Sequence, residues 1–358
     1  MIVREAAFAR SGLVGNPSDI FHGKTLSFLF DCFQAQVLLY ETPKIHIVPN
    51  ARDITCFDGL DDLVAYRRQF GYYGGIRIIE AIILRFKDHC DEAGISLEPR
   101  CFTVEYSSDV PFGVGLGGSS TIIKAVLTAL MRFYGLTERE IPKPIQAKLI
   151  LEAETRELGI SAGPQDRVVA VYGGLVYMDF SEEAFAENRG LHGRYINMDP
   201  GLLPPLFIAY KEALSKSSGE VHNIMRYRVS VEHDRRVTEA MQEKARLVEE
   251  ARTCLLEGRQ EQLGPIMSRD FDLRRSVYNL SPENIRMIEI ARSLGAHAKF
   301  TGSGGAAVGT YEGEQHLREL EKAYAADGCA TIRAVPVEYG PKTGGPPVQP
   351  PRGNRAEP

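Results

Sequence analysis

Apolar and polar residues follow two different periods along most of the chain. Phe102, Val104 and Tyr106 fall on every second position between polar neighbours, the period of a half-buried strand. Val176, Met178 and Phe180 repeat that pattern after the Gly173-Gly174 break. Val37 to Val48 carries apolar runs split by Pro43, which predicts two strands and a turn. Ile122 to Phe133 is densely apolar and free of Gly and Pro, so a buried helix is predicted there. Ile145 to Leu158 predicts another helix, with Gly159 as its C-terminal stop.

The turn-rich stretch Asn197 to Pro205 is the expected boundary between two domains, 1–198 and 199–340. A strand, Leu206 to Tyr210, follows. A helical region then runs from about Val231 to Leu255, with Val237, Met241, Val248, Ala251 and Leu255 along one face. Ser281-Pro282 reads as a helix start, since serine caps and proline suits the first turn. That helix ends near Gly295, and a strand leads into FTGSGG. A further helix and a strand, Thr331 to Val337, complete the pattern. The Pro- and Gly-rich tail 341–358 lacks apolar periodicity and is expected to be disordered.

Composition narrows the function classes. The 358 residues, 44% hydrophobic and 25% charged, suit two domains with an ordinary core. A net charge of −5 argues against nucleic acid or an anionic membrane as the main partner, because such surfaces select basic patches. A small anionic substrate needs only a local pocket of the right sign. Cys32, Cys56, Cys90, Cys101, Cys254 and Cys329 form no CxxC pair, so zinc is not expected, and their scatter reads as thiols in a reducing compartment. The opening MIVREAAFARSGLVG has no apolar run long enough for a secretion signal, and no stretch approaches the ~20 apolar residues of a membrane span. A cytoplasmic location is expected.

The candidate chemistry begins at PFGVGLGGSST, Pro111 to Thr121, between a predicted strand and a predicted helix. Glycines let the backbone bring its N–H groups close to an anion, and the helix N-terminus adds partial positive charge. Ser119 and Ser120 stand at that helix start, where a hydroxyl can reach a phosphate oxygen or a magnesium ion. The loop is not a Walker A sequence, because Gly118 stands where lysine is required. Gly113, Gly115 and Gly118 satisfy GxGxxG, but the position about twenty residues on is Phe133 or Tyr134 rather than an acid.

Two carboxylates follow in LEAETRELGISAGPQDRV. Glu154 lies on a predicted helix, and Asp166 comes after a turn with Gly159, Gly163 and Pro164. Transfer of a phosphoryl group to a hydroxyl uses one carboxylate for magnesium and often another near the attacking oxygen. Glu154, between Glu152 and Glu157, also fits a solvated helical glutamate, and Asp166 also fits a cap for the helix that follows.

PFGVGLGGSST resembles the second motif of the GHMP kinases, with one more glycine before the serines and Thr121 where alanine is usual. RSGLVGNPSD, Arg10 to Asp19, resembles their first motif, and FTGSGGAAV, Phe300 to Val308, their third. GNPSDIFHGKTLS, GYYGGIRI, ELGISAGPQDRVVAVYGGLVYMDF, FDLRR and KFTGSGGA are similar to the plant-type glucuronokinase group, and the likeness runs from about Arg10 to Val335.

The resemblance implies an α+β fold: an N-terminal domain like domain 2 of ribosomal protein S5, a C-terminal ferredoxin-like domain, and ATP in the cleft between them. It implies that Pro111, Gly113, Gly115, Leu116, Gly117, Gly118, Ser119 and Ser120 wrap the ATP phosphates, and that Gly302, Ser303 and Gly304 close over them. Ser120 and Glu154 would hold Mg2+. Asp166 would act on the sugar hydroxyl as base or orienter, with Arg10 beside it to keep it ionised. Asn16 and Asp19 of the first motif would meet the sugar. Tyr72 and Tyr73 would give a stacking face or a hydroxyl donor, or else belong to the core. Arg167 would meet the carboxylate of a sugar acid, or else form a structural ion pair. The implied enzyme phosphorylates the anomeric hydroxyl of D-glucuronate. Kinases of the same fold for galacturonate, fucose or a heptose phosphate are the alternatives, with a non-catalytic nucleotide or sugar sensor as the reading from another class.

Overall fold

The computed structural model describes residues 1–50, 53, 59–60, 74–214 and 218–337. Tyr72, Tyr73 and the tail 341–358 lie outside the described residues. The first sheet is built on two long antiparallel strands, β1 (Ile2–Val14) and β2 (Lys24–Thr42). The C-terminal part of β2 pairs β4 (Cys101–Ser108), which carries the short parallel β3 (His46–Ile47) on its other edge. The N-terminal part of β2 pairs β5 (Leu175–Asp179), and β5 pairs β6 (Arg194–Met198).

Helices α1 (Gly75–Glu92), α2 (Gly118–Phe133), α3 (Lys143–Glu152) and α4 (Gln165–Tyr172) cover one face of this sheet. Alternation decides which strand residues they meet. Val176 and Met178 join that core, while Leu175 and Tyr177 point to a second core on the opposite face. The strand is therefore buried on both faces, where the sequence predicted one. A short helix, α5 (Glu182–Glu187), is capped by Ser181.

The second sheet is antiparallel, in the order β10 (Ala330–Ala334), β7 (Leu206–Tyr210), β9 (Ala306–Thr310), β8 (Ala298–Phe300). Helices α6 (Ser218–Ser230), α7 (Arg235–Leu256), α8 (Leu263–Val277), α9 (Pro282–Ser293) and α10 (Gly313–Ala326) accompany it, α10 preceding β10. Phe207 and Ala209 face α9 and α10. Leu206 and Ile208 face the other way, into a core shared with Phe28, Phe30, Leu247, Val248 and Met267. That shared core joins the two sheets. Its apolar area is removed from water only when both halves are folded and in contact.

Several boundaries differ from those the sequence predicts. The helix placed at Ile122 begins at Gly118, directly on the glycine loop. The helix predicted to Leu158 ends at Glu152 and continues as a π-helical turn, Ala153–Glu157, which holds Glu154. The long helix begins at Arg235, where Asp234 caps it by accepting from Arg236 N at 3.0 Å. Ser281 accepts from Asn284 N at the start of α9, as the Ser-Pro pair predicts. No helix among the described residues is long and apolar enough to cross a membrane.

Candidate active site

The glycine loop leaves β4 and enters α2. Gly113, Gly115 and Gly117 have φ of 68°, 73° and 77°, a left-handed backbone that other residues adopt at a cost. Space demands glycine as well: a Cβ on Gly115 would stand 2.9 Å from Ser303 N, and one on Gly117 2.9 Å from Arg10 Cγ. The cap residue of α2 is Gly117, which has no side chain to occupy the helix's first N–H groups, and such a helix start suits an anion. Thr121, the departure from the usual alanine, is buried and donates its hydroxyl to Gly117 O at 2.8 Å. Pro111 and Leu116 are buried under the loop.

Arg10, near the centre of β1, ties the loop to the carboxylates. Its Nε and Nη2 donate to Asp166 Oδ1 at 2.7 Å and Oδ2 at 2.5 Å. Its Nη1 donates to Gly115 O at 2.6 Å and Thr301 O at 3.1 Å. Asp166 stands in the first turn of α4, beside Arg167. Arg167 is buried and paired with Glu154; it also donates to Gly163 O at 2.8 Å. The structure thus brings together the glycine loop, Arg10, Asp166, Arg167 and Glu154. It gives Arg167 the ion pair that its position left open, with Glu154 as the partner.

Asp19, in a short 3-10 helix (Ser18–Phe21), joins the same group. Its Oδ2 accepts from Gln165 N at 3.3 Å, and a Cβ on Gly163 would lie 2.2 Å from that oxygen. Burial, then the charge of Asp166, push its pKa up to about 6, against the pull of the Gln165 N–H and Arg167. Asn16 is placed differently. It is buried and accepts a hydrogen bond from the Lys299 ammonium.

Gly302, Ser303 and Gly304 follow β8 and touch the first loop: a Cβ on Gly302 would lie 2.5 Å from Gly115 O. Arg274 holds this third loop, donating to Gly302 O at 2.6 Å and Ser303 O at 3.1 Å. Behind it lies a buried charge cluster that sequence reasoning missed. Asp270 accepts from Lys244 at 2.8 Å and Gly15 N at 3.1 Å, with Lys299 at 3.3 Å. The available signal was Lys244 itself, which interrupts the apolar face of α7 between Met241 and Val248 at helical spacing.

Ser120 and Glu154 carry oxygen donors of the kind magnesium takes. Ser120 Oγ is buried and has no hydrogen-bond partner among the described residues, which is costly unless a ligand satisfies it. Arg167 engages Oε2 of Glu154, and a carboxylate has lone pairs on both oxygens. Among the described residues no three His, Cys, Asp or Glu side chains converge as a metal cage. Magnesium that is shared with nucleotide phosphates takes only one or two protein ligands.

Two family models match the chain: the GHMP kinases N-terminal domain over residues 77–174 and the GHMP kinases C-terminal domain over 251–328. The chain is 43% identical over 343 residues to a probable glucuronokinase 2 of Arabidopsis thaliana, covering 94% of this chain and 92% of that protein. It is 41% identical over 325 residues to glucuronokinase 1 of the same plant, covering 89% and 88%. Its fold matches that of Lactococcus lactis galactokinase complexed with galactose, with a TM-score of 0.72 at 13% identity over 95% of this chain and 94% of that one. The family models and the relatives agree: the chain belongs to the GHMP kinases.

Proposed function

We propose that this chain transfers the γ-phosphoryl group of ATP to the anomeric hydroxyl of D-glucuronate, giving α-D-glucuronate 1-phosphate and ADP. The observation that carries the phosphotransfer reading is the single guanidinium of Arg10, which grips Asp166 and the glycine loop at once. A phosphate in the loop and a hydroxyl at Asp166 would thereby be held in one fixed relation. Positioning and charge stabilisation supply most of the rate in such transfers. The choice of sugar is supported by the plant glucuronokinases to which the chain is 41–43% identical.

The loop N–H groups and the α2 N-terminus would bind the phosphates, with Gly302 to Gly304 closing from the second sheet. Asp166 would orient the sugar hydroxyl and accept its proton as the new P–O bond forms and the bond to ADP breaks. Asp19 would accept a hydrogen bond from another sugar hydroxyl. Ser120 and Glu154 would hold magnesium, which when bound neutralises phosphate charge beyond what the N–H groups can.

An ADP-release assay with D-glucuronate, D-galacturonate, D-glucose, D-galactose and L-fucose, with and without magnesium, tests the reading. Turnover requiring both D-glucuronate and magnesium is expected. Fast turnover of galactose or fucose with none of glucuronate would overturn the substrate and leave the family intact.

A further inference from the structure

A sugar acid differs from its parent sugar by one carboxylate, and a buried carboxylate needs a cation or several donors. Most arginines around the site are already committed. Arg10 holds Asp166, Arg167 holds Glu154, and Arg228 holds Asp234. Arg274 is buried, spends its guanidinium on the carbonyls of Gly302 and Ser303, and lies over the rings of Tyr278 and Phe300.

Arg226, on α6, stands apart. It is half-buried and donates to Ser161 Oγ at 2.7 Å and Ala162 O at 3.2 Å. Both acceptors are neutral, and no carboxylate among the described residues lies within ion-pair distance of it. Its anchor is the turn that leads into the site: Gly163, the next residue, lies against Asp19 and gives its carbonyl to Arg167. A second observation points to the same place. Tyr278 is 8% exposed, and its hydroxyl is buried with no hydrogen-bond partner among the described residues. Asp19, Arg274 and Arg228 all act on that phenol, and burial raises its pKa, so it remains a donor. Tyr278 packs in one cluster with Met225, the neighbour of Arg226, and with Phe21, at the end of the helix that carries Asp19.

We infer that Arg226 receives the carboxylate of the substrate and that the Tyr278 hydroxyl donates to the sugar beside Asp19. The second half of the chain thereby selects a sugar acid over a neutral sugar. The inference rests on the sugar-acid reading given above. It also separates two tasks by position: the first half holds the reacting hydroxyl, and α6 with the end of α8 reads the far end of the ring.

The test compares D-glucuronate with D-glucuronamide, which keeps the ring and removes the charge, in the intact enzyme and in Arg226→Gln, Arg226→Lys and Tyr278→Phe. Loss of a charge-assisted pair is worth roughly 10- to 100-fold. Arg226→Gln is expected to raise KM for glucuronate by about that factor, leave KM for ATP and turnover of glucuronamide within a few-fold, and so collapse the preference between the two. Arg226→Lys should recover part of it, which a merely structural loss would not. Tyr278→Phe should weaken both sugars alike. If the intact enzyme turns over glucuronate and Arg226→Gln keeps the full preference over the amide, the inference is wrong and the substrate reading stands. If the intact enzyme turns over no uronate, both fall.

Discussion

Arg10 and Asp166, 156 residues apart in the chain, meet in a two-pronged ion pair at 2.7 and 2.5 Å. The fork geometry matters more than the charge. Two parallel N–H donors fix the plane of the carboxylate, and the third guanidinium nitrogen fixes that plane to Gly115 of the loop.

Replacing Asp166 by Asn keeps the shape and removes the proton acceptor. Turnover is expected to fall by ~10²–10⁴-fold, with ATP binding and melting temperature close to those of the intact enzyme. Arg10→Lys keeps the charge but not the fork, and should also lower turnover, because lysine is a point charge that cannot hold Asp166 and Gly115 together. Single-turnover rates and nucleotide binding, measured side by side, check both. Activity of the Asp166→Asn variant within a few-fold of the intact enzyme, or unfolding of that variant, would return Asp166 to the role of a helix residue.

Much of this site was legible because its chemistry is local. The glycine loop, its serines and the start of a helix occupy one run of eleven residues, and the left-handed glycines could be expected from the composition of that run. The Arg10–Asp166 contact was legible only through resemblance, since no periodicity joins residues on β1 and α4. The two apolar runs of Val37 to Val48 foretold the end of β2, a turn and β3, but β1 and the earlier part of β2 were not legible from patterning. The inward positions of β1 hold Glu5, Ala7 and Ala9, and small or charged residues give a weak alternation signal. Glu5 is buried and is paired with Arg132. The charge cluster around Asp270 was illegible for a related reason. A charged residue in a sequence reads as surface until the partners that bury it are seen.

Asp19 sets an expected acid limit on activity. Its folded-state pKa, near 6, lies above the usual 3.8 because burial and Asp166 disfavour its charge, opposed by the Gln165 N–H and Arg167. A raised carboxylate binds its proton more tightly in the folded protein. It therefore contributes stability at low pH that is lost as pH rises from 3.8 through about 6. Function runs the opposite way if the ionised form accepts from the sugar. kcat/KM for the sugar should fall below about pH 6, and Asp19→Asn should lower it throughout while removing that limb. A pH–rate profile of the variant that keeps the same limb would assign it to another group.

The cluster around Asp270 gives a prediction about stability rather than turnover. Asp270 is fully buried, and burial alone would raise its pKa, yet Lys244 and Lys299 together hold it below the usual carboxylate range. Lys299 is the surplus cation: burial takes it down to about 7 despite Asp270, with Lys244 and Arg274 pushing the same way. Through Gly15 N and Asn16 the cluster grips the first motif, and through Arg274, four residues along α8, it adjoins the third loop. Asp270→Asn leaves two buried lysines without their counter-charge. Breaking such a pair costs about 3–5 kcal/mol, so a clearly lowered denaturation midpoint is expected. Lys299→Met removes the surplus charge and keeps the side-chain volume, so it should cost much less. The two variants should also differ with pH. Lys299 itself contributes a gain in stability between about pH 7 and 10.5, where the unfolded chain holds its proton and the folded one releases it. Lys299→Met should flatten that rise. Equal destabilisation by the two variants, with the same pH dependence as the intact protein, would show that Asp270 is not the centre of the cluster.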